Sequence, residues 1–231
     1  MLVLALVFFG SCWTPIFHQY FAEEVIKKHF DNISDTFKES FVLGSIYADG
    51  FDKSITHFSN RTIKLINKFS DQKNEEYYFF LGILSHIASD VFAHSGKTKS
   101  FIIGKGFKHY LSEIAICSLF LYKFKVIPKQ LSNCILEKIS QSGLRPLPRF
   151  FLFQKVFKYI ANFPFWIVLP YITNDFCDNR DYSRILIAFQ EHIANMHTMF
   201  DFLLNNSSNE SISELDIKKI TLALQQKIIC V

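Results

Sequence analysis

The sequence predicts an all-α fold, a single multi-helix domain, on three observations. Helix-breaking residues are few, with 8 Gly and 6 Pro in 231 residues, so long helices meet little interruption. Apolar residues recur at helical spacing through much of the chain, and strand-like alternation is scarce. Hydrophobic residues make up 49% and charged residues 20%, a balance that supports a packed core and argues against disorder. The length suits one sizeable domain better than two.

Taken in order, residues 1–12 (MLVLALVFFGSC) are apolar and uncharged and end in Gly10, Ser11 and Cys12. They are too short to span a bilayer and read as a signal peptide with a small-residue cleavage site. That leaves residues 13–231 as the folded domain, with Trp13 as the mature N-terminus and a secreted or periplasmic destination. A buried N-terminal helix or strand is the alternative. The five cysteines, Cys12, Cys117, Cys134, Cys177 and Cys230, form no CxxC pair, which excludes a zinc ribbon or a thioredoxin-type motif. After export the remaining four could form disulfides or stay as buried apolar thiols.

Residues 16–30 place Phe17, Phe21, Val25 and Ile26 near one helical face, with Glu23, Glu24, Lys27 and Lys28 largely off it. Residues 75–94 are apolar on most sides, as a central buried helix would be. Further helices are expected over 107–125, 182–204 and 213–228, the last preceded by Ser211 and Glu214 at capping-box spacing. Aromatic residues reach 16% of the chain, 27 of them Phe. Many fall in residues 150–173, including Phe150, Phe151, Phe153, Phe157, Phe163, Phe165 and Trp166. Lys155, Lys158, Pro164 and Pro170 interrupt that run, so it cannot span a membrane. It packs in the core, or it forms a peripheral membrane contact with the lysines at the headgroups. The net charge of +4 is spread along the chain without a basic block, so no stable nucleic-acid complex is expected.

The chemistry-bearing residues begin with LGILSHIASDVFAHS. His86, Asp90 and His94 recur every four residues, which aligns them along one stripe of a helix. Imidazole nitrogens and carboxylate oxygens are zinc ligands, and this spacing lets neighbours grip one ion. Their helix is otherwise apolar (Leu81, Ile83, Leu84, Ile87, Val91, Phe92), so three ionisable groups there are costly unless a metal or partners satisfy them. His109 and Glu113 repeat the same spacing. Each pair in isolation could be an ordinary His–carboxylate contact on a helix surface; two on neighbouring apolar helices favour metal. Upstream stand His18 on the first helix, Asp49 before Gly50 in a turn signal, and His57. His29, His192 and His197 fit no motif and read as surface or core histidines.

With those residues in order, the sequence resembles the zinc-dependent phospholipase C family. That family also includes the S1/P1-type nucleases and the N-terminal domain of glycosylphosphatidylinositol-specific phospholipase D. The likeness is closest to the last, through FFLGILSHIASDVFAHS, and covers residues 13–125. It implies an all-α fold and a nine-ligand site holding three zinc ions: Trp13, His18, Asp49, His57, His86, Asp90, His94, His109 and Glu113. By the same resemblance Asp49, His57, His86 and Asp90 hold one zinc, and His94, His109 and Glu113 a second. Trp13 and His18, with Asp90 bridging, hold the third. Ala48 stands where many relatives have Pro, which bears on the stiffness of the turn. The expected activity is zinc-dependent hydrolysis of phospholipids, of phospholipase C or D type, by metal-activated water, with Asp49 as the group that orients or deprotonates the water. The alternatives are a single-strand nuclease or nucleotidase, which the Trp13/His18 spacing suits, and a non-catalytic metal-stabilised membrane-binding protein.

Overall fold

The computed structural model describes residues 15–56, 59–93, 129, 133–146, 193–202 and 204–205. Helix α1 spans Pro15–His29 and α2 spans Asp35–Tyr47, running directly into a 3₁₀ turn at Ala48–Gly50. Then come α3 (Lys53–Thr56), α4 (Ser59–Phe69), α5 (Glu75–Ala93) and α6 (Asn133–Gln141). Residues 193–202 are also helical. Among the described residues there is no strand, only an isolated antiparallel bridge between Phe51 and Pro146. The all-α expectation holds.

The two helices expected over 16–30 and 75–94 appear as α1, displaced by one residue at both ends, and α5, which ends one residue earlier. Their termini follow from local chemistry. Pro15 opens α1, where a missing N–H costs nothing, and Lys27, Lys28 and His29 occupy its last turn, facing the negative end of the helix dipole. At the start of α5 the Asn74 side-chain oxygen accepts the Tyr77 N–H at 3.1 Å, and Glu75 and Glu76 sit in the first turn. The expected helix over 182–204 is described from residue 193 on. The expected helices over 107–125 and 213–228, the Ser211/Glu214 capping box, the aromatic run 150–173, the leader 1–12 and the side chains of all five cysteines lie outside the described residues.

Helices α2, α3, α4 and α6 add to those that the periodicity singles out. For α2 the reason is physical. Ser34 caps it, its hydroxyl accepting the Phe37 N–H at 3.4 Å, but every residue from Ser40 to Ala48 is buried. A helix covered on all sides shows no polar face and hence no period of 3.6. Helix α5 has the same character, buried without a break from Tyr78 to Ser89. It is the centre of the domain and packs against α1, α2 and α4.

Two glycines set how closely α2 and α5 approach. A Cβ added at Gly44 would overlap the Phe79 carbonyl oxygen and lie 3.2 Å from the Cα of Gly82. A Cβ added at Gly82 would overlap the Phe41 carbonyl oxygen and lie 3.0 Å from the Ser45 nitrogen. The two backbones are therefore in direct contact. Around this crossing the phenylalanines fill the core: Phe17, Phe21, Phe41, Phe51, Phe79, Phe80 and Phe200 are all buried. Phe41 meets Phe30 and Phe200 with ring centroids 5.6 and 5.9 Å away, and Phe69 stacks on Phe80 at 5.7 Å. Such ring pairs add about 0.5–1.5 kcal/mol each beyond the area they bury.

The segment 193–202 docks on the end of α1 by burying Met196, Met199 and Phe200. Its Asp201 carboxylate lies 3.3 Å from His29 Nδ1 and 3.4 Å from Lys28 Nζ. His29 and His197 lie side by side here with ring centroids 5.6 Å apart. Burial, the largest influence, lowers the pKa of both and favours their neutral rings. Both sit half-buried between α1 and the segment 193–202.

Neither glycine of the crossing can be enlarged without separating the two helices. Gly44→Ala and Gly82→Ala are each expected to destabilise the domain by about 2–3 kcal/mol or more. Urea denaturation of each variant against the wild type measures this. A loss within the range of a surface substitution would show that the helices are not in backbone contact.

Candidate metal centre

Three elements converge beside this crossing. Helix α1 turns Phe17, His18, Phe21, Ala22 and Val25 inward, so His18 reaches the interior on an apolar stripe and is 1% exposed. The 3₁₀ turn that ends α2 carries Asp49, whose side chain remains 21% exposed. Helix α5 presents His86 and Asp90, one turn apart on the same face as their spacing requires. His86 is completely buried.

The imidazole nitrogens and carboxylates face one another. His86 Nε2 lies 3.3 Å from Asp90 Oδ2 and 3.9 Å from Asp49 Oδ2, and His18 Nε2 lies 3.5 Å from Asp90 Oδ1. The two oxygens of Asp90 thus address different histidines. The His18 and His86 rings lie almost face to face, centroids 4.0 Å apart and planes 30° from parallel. One potential ligand atom from each of His18, Asp49 and His86 falls within 4.8 Å of the others.

A closed ring of hydrogen bonds supports these side chains from behind. His86 Nδ1 lies 2.9 Å from the Ser45 carbonyl on α2, and the Ser45 hydroxyl donates to the His18 carbonyl on α1 at 3.2 Å. His18 Nδ1 lies 2.6 Å from the Ser89 hydroxyl on α5, which donates to the His86 carbonyl at 2.7 Å. His18, Ser89, His86 and Ser45 therefore tie α1, α2 and α5 together within one buried cycle. The two serines carry no signal in the sequence. Neither residue type at those positions belongs to a ligand pattern, and their roles arise from contacts between helices.

The electrostatics follow from burial and from two carboxylates. Burial disfavours the His86 imidazolium, but the Asp90 charge and hydrogen bond, Asp49 and the Ser45 carbonyl outweigh it and raise the His86 pKa. Burial would raise the pKa of Asp90, but the charge and hydrogen bond of His86, with His18, pull it down to about 2. The donor set fits a borderline divalent ion such as zinc. It offers two imidazole nitrogens and two carboxylates, with His86 oriented through its other nitrogen by a backbone carbonyl, as metal-binding histidines commonly are.

The structure thus brings together His18, Asp49, His86 and Asp90 of the residues expected from sequence. Trp13, His57, His94, His109 and Glu113 lie outside the described residues. Ala48, where relatives were expected to carry Pro, is buried in the turn. A family model described as zinc dependent phospholipase C matches residues 17–144. That stretch takes in His18, Asp49, His86 and Asp90. No curated protein and no solved structure matches the chain.

The raised pKa of His86 means that, without a metal, the Asp90 and Asp49 carboxylates hold a proton on this ring toward neutral pH. A metal must displace it, whereas Asp90 is ionised well below neutrality and offers no such competition. Zinc uptake near neutral pH is therefore expected to release protons and to tighten as the pH rises. Titration calorimetry of the metal-free protein in buffers of different ionisation enthalpy measures the count. Binding that is independent of pH from mildly acid to mildly alkaline conditions would contradict the charge balance described.

Proposed function

The chain belongs to the zinc-dependent phospholipase C family, and on that premise we propose that it hydrolyses phospholipids as a zinc-dependent phosphodiesterase of phospholipase C or D type. The observation that carries the reading is the convergence of His18, Asp49 and His86 with Asp90 between the two histidines. A stabilising zinc needs only a closed set of four ligands. A set of nine, extended through Trp13, His57, His94, His109 and Glu113, fits a working centre of three ions.

In this reading His86, Asp49 and His57 would hold one ion and His18 with Trp13 another, with Asp90 contributing to both. His94, His109 and Glu113 bind the third. Zinc in such a centre supplies Lewis acidity to a water molecule and to the phosphate oxygens. Asp49 is the most exposed member of the described group, at 21% against 14% for Asp90 and 1% for His18. It is therefore placed at the solvent side, where it can orient the attacking water and accept its proton. The water oxygen bonds to phosphorus as the ester P–O bond breaks, and the departing oxygen takes up a proton. The buried apolar walls built by α1, α2 and α5 hold His18 and His86 away from bulk water.

Among the described residues no helix is long and apolar enough to cross a membrane. Lipid contact is assigned to the surface of residues 150–173, as a peripheral seat with Lys155 and Lys158 at the headgroups. The apolar leader supports an extracytoplasmic site of action, secreted or periplasmic.

Purified zinc-loaded protein offered phosphatidylcholine, a phosphatidylinositol glycan and single-stranded DNA in parallel is expected to hydrolyse a lipid and to spare the DNA. Asp49→Asn, which keeps the volume and removes the base, is expected to lower that rate by about 100-fold or more. Strong DNA cleavage without lipid hydrolysis would replace this reading with a nuclease. Fewer than two zinc ions per chain, without hydrolysis of any of the three, would replace it with a binding protein.

A further inference from the structure

Ser89 lies in a place that invites a bland explanation. A serine inside a helix often turns its hydroxyl back to a carbonyl one turn earlier, and Ser89 does so, donating to His86 at 2.7 Å. Its second contact is less ordinary. The same oxygen is 2.6 Å from Nδ1 of His18, on a different helix and 71 residues away in sequence. Ser89 is 1% exposed, so water cannot readily take over either contact.

The two contacts together point to one placement of a proton. A hydroxyl has a single hydrogen, and the His86 carbonyl can only accept. With that hydrogen committed to His86, the Ser89 oxygen meets His18 through a lone pair, and Nδ1 of His18 must carry the N–H. In the neutral ring the other nitrogen, Nε2, then keeps its electron pair, on the side of Asp90 Oδ1 3.5 Å away. On the neighbouring ring the Ser45 carbonyl imposes the same tautomer on His86 directly. His18 reaches the equivalent state through the serine.

We propose that Ser89 is a positioning residue that locks His18 in the Nδ1–H tautomer, so that Nε2 meets an incoming metal ion already as an electron-pair donor. The proposal rests on the reading that His18 is a zinc ligand. Without the hydroxyl, His18 could place its proton on Nε2 toward the Asp90 carboxylate, and that proton would then compete with the metal.

The experiment uses the full chain with Ser89→Ala, a near-isosteric change, and Ser89→Thr, which keeps the hydroxyl. Imidazole nitrogen NMR on metal-free protein at mildly alkaline pH reads the His18 tautomer, and competition with a chelator reads zinc affinity. The wild type is expected to show the Nδ1–H form. Ser89→Ala is expected to shift His18 toward Nε2–H and to weaken zinc by about 10–100-fold, and Ser89→Thr to restore both. An unchanged tautomer in Ser89→Ala overturns the proposal, whether or not affinity falls, since a purely structural serine could lower affinity without moving the proton. Should Ser89→Ala not fold, a folded Ser89→Thr protein whose His18 lacks the Nδ1–H form overturns it equally. A wild type that binds no zinc while its tautomer still depends on Ser89 overturns the zinc reading of His18 instead.

Discussion

Backbone contact between α2 and α5 at Gly44 and Gly82 is the constraint on which the rest of the structure depends. It is a steric condition, set by the absence of two side chains. Gly44 immediately precedes Ser45, whose carbonyl receives His86 Nδ1 at 2.9 Å. Gly82 lies one turn before His86 on α5. An ångström of extra separation at the crossing would therefore pull the His86 ring from its carbonyl and shift it away from Asp49, which α2 delivers through its final turn. Close packing and site geometry are here the same feature.

The second constraint is the cost of charge in an apolar interior. Helix α5 buries His86 with Asp90 at the end of its covered stretch, and α1 brings His18 to the same place. Ionisable groups buried this deeply are tolerated only when they satisfy one another or a bound ion. The cycle through Ser45 and Ser89 meets part of that demand by giving both Nδ1 atoms a neutral partner. The carboxylates meet the rest by lowering the pKa of Asp90 and raising that of His86. The same carboxylates that hold a proton on His86 would attract a divalent cation in its place.

Aromatic richness has a structural use in the described domain. Phe30, Phe41 and Phe200 bring α1, α2 and the segment 193–202 together edge to face, and Phe79 and Phe80 pack the inner surfaces of α5. These rings fill the volume beneath the site and stiffen the platform on which the ligands stand. A lipid substrate is thus not required to account for these phenylalanines.

The sequence by itself determined the helical class, because periodicity and scarce Gly and Pro are properties of residue order. It also determined α1 and α5 almost to the residue, and the pairing of His86 with Asp90, since spacing of four on a helix places two side chains together regardless of surroundings. Asp49 was legible as a turn residue and His18 as a position on the first helix. What the order of residues could not reveal was α2, whose all-round burial erases the helical period, and the part played by Ser45 and Ser89. Those serines act across helices, between atoms 27 to 71 residues apart. Only the tertiary structure decided that two glycines would let α2 and α5 touch, and so placed His18, Asp49, His86 and Asp90 within reach of a common ion. Distances of that kind depend on how helices pack, and a local pattern of residues carries no information about them.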